Sequence, residues 1–196
     1  MRPTFLSLIC AIFASLLLTG CGPSNNIHLL NPKPSAAAVL PAPGAHTISI
    51  VRFADKRAER QTIGVRRDGS AFTTQDDTAG WVSKALADEI AKSGLAVSYA
   101  QNFEQARRGN PDFIVMGNLT QALLKEKSAT SMETAFNATY TLANRQKKLI
   151  NNASASASRT RTGLPTNSSA EGLLLASMED LVKEMSQKIV ATTGVR

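Results

Sequence analysis

One short stretch carries residue types whose chemistry is specific. Leu18-Thr19-Gly20-Cys21 sets a thiol directly behind two small residues and a branched apolar one. A thiol is what a thioether to diacylglycerol requires. Small neighbours let the extended chain enter a peptidase that cuts just before the cysteine.

What precedes the stretch fits that chemistry. Arg2 supplies a positive start, and Phe5 to Leu18 is apolar apart from Ser7, Cys10 and Ser15. At about 14 residues this run falls short of the roughly 20 that span a membrane as a helix. It suits the apolar region of a signal peptide. Residues 1–20 together resemble a signal peptide ending in a lipobox, with Leu18, Thr19 and Gly20 as the recognition residues and Cys21 as the lipidated first residue of the mature chain. Buried methylenes contribute roughly 0.8 kcal/mol each, so a diacyl or triacyl anchor is effectively permanent. Residue 22 is Gly, not Asp. In the sorting scheme that a lipobox implies, this sends the protein to the outer membrane with its domain facing the periplasm. Cys10 leaves with the signal peptide and Cys21 is acylated, so the mature chain is expected to hold neither a disulfide nor a thiolate metal site.

The other chemically capable residues are scattered. A serine triad needs a histidine on a rigid element, and His28 and His46 fall in or beside a proline-rich stretch. A metal site needs clustered His, Cys, Asp or Glu. The adjacent acids Asp76-Asp77 read as a helix start favoured by the dipole. Asp88-Glu89 and Glu179-Asp180 read as solvated helix faces, since neighbours on a helix point apart. Gly64 and Gly69 stand alone, without the spacing of a phosphate-cradling loop. The expectation is a protein with no catalytic residue, no metal and no cofactor apart from the lipid.

Basic residues offer a non-covalent alternative. Twenty-two Lys and Arg against 15 Asp and Glu leave a net charge of +7, which favours anionic partners. Arg52, Lys56, Arg57 and Arg60 gather near the first turn, and Arg145, Lys147 and Lys148 form a second basic turn. These seven are the candidate contacts for an anionic envelope ligand: lipopolysaccharide, phospholipid or peptidoglycan. Arg66-Arg67, Arg107-Arg108 and Lys147-Lys148 are short basic pairs at turns; they lack interleaved aromatics, so nucleic acid is not an expected partner.

Residues 21–45 contain Pro23, Pro32, Pro34, Pro41 and Pro43 and read as a tether. Residues 46–196 read as one domain. Alternation marks a strand over 46–53, and Thr62 to Val65 reads as a short extended piece. Asp68-Gly69 is a turn signal. A helix is predicted over 76–93, with Thr74 and Asp77 as a capping box and Gly94 as its stop. A strand over 95–99 and a short helix over 103–108 follow. Three strands come next, over 112–124, 131–143 and 149–161, and a helix from Ser168 or Ser169 ends the chain. The order predicts an α+β fold: a mostly antiparallel sheet of about five strands, with two main helices packed on one face.

Read whole, the chain resembles the YajG-like family of bacterial outer-membrane lipoproteins. The likeness rests on Phe53-Ala-Asp55-Lys-Arg57, Ile63-Gly64, Trp81-Val-Ser-Lys-Ala-Leu86, Lys92-Ser-Gly94-Leu95, Pro111-Asp112, Met178-Glu-Asp-Leu181 and Glu184-Met-Ser-Gln187. It implies a periplasmic domain on a lipid anchor, without an established enzymatic activity. Related small lipoproteins serve as adaptors for envelope machines. The expected function is therefore an adaptor or accessory subunit that docks a protein partner at the outer membrane.

Overall fold

Alternation along residues 131–144 dictates what must cover them. Met132, Thr134, Phe136, Ala138, Tyr140 and Leu142 share one face, and each is at most 1% exposed. Two long helices supply the cover, through Val82, Leu86 and Ile90 of the first and Leu174, Met178, Leu181, Val182, Met185 and Ile189 of the second. All these side chains join one apolar cluster. The computed structural model describes residues 25–33, 40–41, 43–146 and 148–194.

Its elements in chain order are β1 (Thr47–Val51), β2 (Ala54–Asp55), β3 (Thr62–Val65), β4 (Ala71–Thr73), α1 (Thr78–Ala91), β5 (Ala96–Ala100), α2 (Phe103–Arg108), β6 (Phe113–Ser128), β7 (Ser131–Asn144), β8 (Leu149–Thr162) and α3 (Asn167–Thr193). Strand β6 is the axis of the sheet. On one side it pairs antiparallel with β7, and β7 with β8. On its other side three short strands follow one another, all parallel to it. β1 lies against Phe113–Val115, β2 against Asn118 and Leu119, and β3 against Leu124 and Lys125. Outside these, β5 pairs parallel with β1 and β4 antiparallel with β3.

The sheet is therefore mixed and eight-stranded, which corrects the expected mostly antiparallel sheet of about five strands. The β6–β7–β8 meander is as expected. The rest differs because α1 lies between β1 and β5 in the chain, and a crossover of that kind returns the chain parallel. β2 and β4, at two and three residues, are too short for any period to show.

The helices also sort by face. Val51, Ala100, Ala106 and Ile114 form a second, smaller cluster, and Val51 and Ile114 have the opposite parity to Ile50 and Val115. Helix α2 thus covers the face of β1 that α1 and α3 leave open. Asp77 caps α1 by accepting from the Gly80 amide at 3.0 Å. Thr74 is not the cap, because its hydroxyl accepts from the Asp76 amide instead. Gly94 follows the helix at φ 82, a conformation that glycine adopts without a Cβ penalty. Gly64 answers a different need: a Cβ there would overlap the Leu124 carbonyl of β6.

The expected tether is only partly free of the domain. Residues 25–33 are described, and Ile27 is 0% exposed within the main cluster. Burial of that one side chain overrides the proline-rich composition around it.

Candidate functional site

Residues 25–30 form a strap. Thr73 donates its amide to the Asn25 carbonyl and Ile27 donates its amide to the Thr73 carbonyl, both at 2.8 Å. The strap thereby adds a short parallel bridge to the outer edge of β4. Farther along, the Leu29 amide donates to Asp76 Oδ2 at 2.8 Å and the His28 amide to Glu171 Oε1 at 3.0 Å. The Trp81 indole donates to the Leu30 carbonyl at 2.9 Å. The strap therefore stitches β4 to the first turns of α1 and α3.

Arg66 anchors the start of the strap. Its Nε donates to Asn25 Oδ1 at 2.7 Å and its Nη1 to Glu126 Oε1 at 2.8 Å. The Phe72 ring lies 4.3 Å from the guanidinium. The side chains of Arg66 and Glu126 are 8% and 9% exposed, so each offsets the desolvation of the other. Asn167, at the start of α3, donates to the Asn26 carbonyl at 3.1 Å.

The basic residues singled out by sequence lie elsewhere, and three of them, Arg52, Arg57 and Arg145, are engaged in ion pairs. Arg52 places Nε and Nη2 on the two Asp77 oxygens, each at 2.7 Å. That bidentate contact, aided by the Gly80 amide, holds the Asp77 carboxyl below its usual range. Arg57 turns inward, with Nε and Nη2 on Asp55 at 3.0 and 2.8 Å. It also donates to the Thr62 and Arg60 carbonyls at 3.2 and 2.7 Å. Burial is the largest single influence on Asp55 and opposes its ionisation, but the side-chain and backbone hydrogen bonds from Arg57, with the charges of Arg57 and Arg60, together hold the carboxyl low. The Asp55-Lys-Arg57 turn is thus held by its own ion pair.

Lys56 and Arg60 stay exposed. They line an open cleft with three carboxylates, Asp55, Asp76 and Asp77, so its wall is of mixed charge. Arg145 donates to Asp112 Oδ1 at 2.9 Å and to the Asn110 carbonyl at 3.3 Å. Lys148 is exposed. Lys147, Leu18, Thr19, Gly20 and Cys21 lie outside the described residues.

The two basic groups do not converge. Asp112 accepts from the Thr47 amide and hydroxyl at 2.9 Å, which puts Arg145 at the start of β1, whereas Arg52 follows its last residue. Five residues of strand separate them, about 16 Å. His46 stands at the same start, its Nδ1 3.6 Å from Asp112 Oδ2. Among the described residues no three His, Cys, Asp or Glu side chains come together as a metal site. No described helix is long and apolar enough to cross a membrane.

Strand β8 forms an outer edge of the sheet. Among the described residues this 14-residue strand pairs with β7 alone. From Ala153 to Ser158 its side chains are Ala and Ser, without Lys or Pro, the residues that commonly blunt such edges. Helix α3 lies over one face of the strand. Arg159 of β8 forks onto Asp180 at 2.5 and 2.8 Å, and Lys188 donates to the Ser154 carbonyl at 3.2 Å. Ser156 and Ser158, on the other face, are exposed.

Known proteins share this architecture without sharing sequence. A crystal structure of a Xanthomonas campestris protein assigned to the family DUF330 aligns at a TM-score of 0.57. It is 12% identical, over 88% of this chain and 94% of that one. A crystal structure of an uncharacterised protein aligns at 0.52, 9% identical, over 84% and 97%. A minor lipoprotein from Acinetobacter baumannii aligns more loosely, at 0.45, 13% identical, over 76% and 96%. No family model and no curated protein matches the chain. The resemblance to YajG-like lipoproteins therefore rests on the sequence motifs alone, while the fold is one that solved proteins also adopt.

Sequence reasoning missed the strap and Arg66. A signal was present: Ile27-His-Leu29-Leu30 interrupts the proline-rich stretch with three apolar residues of four.

Proposed function

We propose that this chain is an outer-membrane lipoprotein, acylated at Cys21, whose periplasmic domain docks an extended segment of a protein partner along the edge of β8 and catalyses no reaction. The free edge of β8 is the observation that carries the docking. Apart from the Ser154 carbonyl, which accepts from Lys188, the strand presents main-chain donors and acceptors on the side away from β7, and an added strand satisfies such groups. Small side chains at Ala153 to Ser158 let another backbone approach closely. The lipobox at Leu18 to Cys21 carries the anchor. The alternative, an anionic-ligand site, retains Lys56 and Arg60 beside three carboxylates at one end of β1 and Lys148 near the other, so its two halves do not converge.

A photo-activated cross-linker at Ser156 tests the docking in intact cells, with one at the exposed Asp88 of α1 as control. The expected result is a single envelope protein captured from position 156 and not from 88. Capture only of a second copy of this chain replaces the adaptor by self-assembly. No adduct from 156 removes the edge from the function.

A further inference from the structure

The strap fixes more than the packing of Ile27, because it dictates where the chain leaves the domain. Asn25 is held by Thr73 and by Arg66. Three residues, Gly22 to Ser24, separate it from Cys21. The four Cα steps between them reach at most about 14 Å when fully extended. Whatever holds Cys21 therefore lies within that distance of the end of the sheet that carries Asn25.

Several elements meet at this end. Val65 of β3 stands opposite Lys125 of β6, and Arg67 donates its amide to Glu126 Oε2 at 3.2 Å. The β6–β7 turn closes here, with Ser128 opposite Ser131. Thr162 ends β8 opposite the same Ser131, and Gly163 donates to the Thr130 carbonyl at 2.8 Å. Helix α3 begins here as well. The opposite end, with Asp112, Arg145 and Lys148, lies up to about 50 Å away along the 15 steps of β6.

The surface at the strap end fits a lipid headgroup layer. Arg67, Lys125 and Arg161 are exposed, and Lys127 is half-exposed beside Glu133. Asp68 is the one other exposed carboxylate in these turns, accepting from Ser70. Leu164, in the loop before α3, is 73% exposed. Cations close to an anionic leaflet are drawn to it, and a leucine among them can enter the interface.

We propose that the strap end of the domain rests on the leaflet that holds the acylated Cys21, with Leu164, Arg67, Lys125 and Arg161 meeting anionic phospholipid headgroups. The start of β6, the end of β7 and Lys148 then face away from that membrane, and the edge of β8 runs from it into the periplasm. This rests on the lipid anchor.

The test uses the full-length lipidated protein in vesicles of phosphatidylethanolamine containing a minority of phosphatidylglycerol. Single variants Arg67→Cys, Leu164→Cys and Lys148→Cys each receive a fluorophore, the acylated Cys21 offering no competing thiol. Quenching by headgroup-labelled lipid is read at each position. The expected result is several-fold stronger quenching at 67 and 164 than at 148. Protein that floats with the vesicles but quenches equally at all three positions overturns the orientation and leaves the anchor standing. Protein that is not acylated by mass spectrometry and does not float removes both.

Discussion

Arg52 and Asp77 meet through two hydrogen bonds of 2.7 Å, joining the end of β1 to the cap of α1. One carboxylate thus serves two purposes, since Asp77 also accepts from the Gly80 amide. Loss of an N-cap costs about 1 kcal/mol, whereas an exposed pair contributes roughly 0–1 kcal/mol. Asp77→Ala should therefore destabilise the domain by about 1–2 kcal/mol, and Arg52→Ala by less than about 1 kcal/mol. Urea titrations compare them, and equal losses would show that the cap contributes nothing.

Acid should act on the same groups. Arg52 holds Asp77 low, Arg159 holds Asp180 low, and Arg57 overrides burial at Asp55. A carboxyl whose folded value lies below its unfolded one adds stability above the unfolded value and loses it as pH falls through the folded value. These three should leave stability level down to the usual aspartate value of 3.8 and lower it progressively below that. Urea midpoints across this range read the effect. A loss already complete well above 3.8 would assign acid sensitivity to other groups.

Ile27 lies outside the strands yet is wholly buried. Truncation of a buried isoleucine to alanine costs roughly 2–5 kcal/mol, and a strap held by few main-chain bonds should sit near the lower bound. Ile27→Ala should lower stability by about 2 kcal/mol. It should also raise hydrogen exchange at the Ile27, Leu29 and Thr73 amides ahead of the β7 amides. Uniform exchange changes across the domain would mean that the strap does not open separately.

Tyr140 presents the reverse case. It is 1% exposed, and its hydroxyl has no hydrogen-bond partner among the described residues. Burial pushes its ionisation above the ordinary tyrosine value, although Lys188 pulls the other way. A buried hydroxyl left unsatisfied costs about 1–3 kcal/mol. Tyr140→Phe should be neutral or stabilising by up to about 1 kcal/mol. A clear loss of stability on thermal unfolding would reveal a partner for the hydroxyl.

The sequence was most legible where one period ran long. Six alternate residues of β7 and six of the α3 stripe are buried as their spacing predicts, because each element has one face to hide and enough length to show it. Legibility failed where pairing partners are distant or strands are short. Nothing local to Thr47–Val51 states that it lies parallel to residues about 65 positions later. Among the charged residues, sequence shows sign but not engagement. Arg57 reads as a surface cation, yet its guanidinium is spent on Asp55 and two carbonyls. Arg66 reads as half of a basic pair, yet it lies among Asn25, Glu126 and Phe72. Cys21 is the reverse, a residue whose neighbours carry the whole expectation, since it lies outside the described residues.

The strap also sets the length of a leash. For a chain held at Cys21, three residues lie between it and the domain while Asn25 to Leu30 are seated. With the strap peeled off β4, 25 residues would lie between Cys21 and Thr47, a span of up to about 90 Å. The burial of one isoleucine then governs whether the domain is moored at the lipid or ranges across the space beyond it.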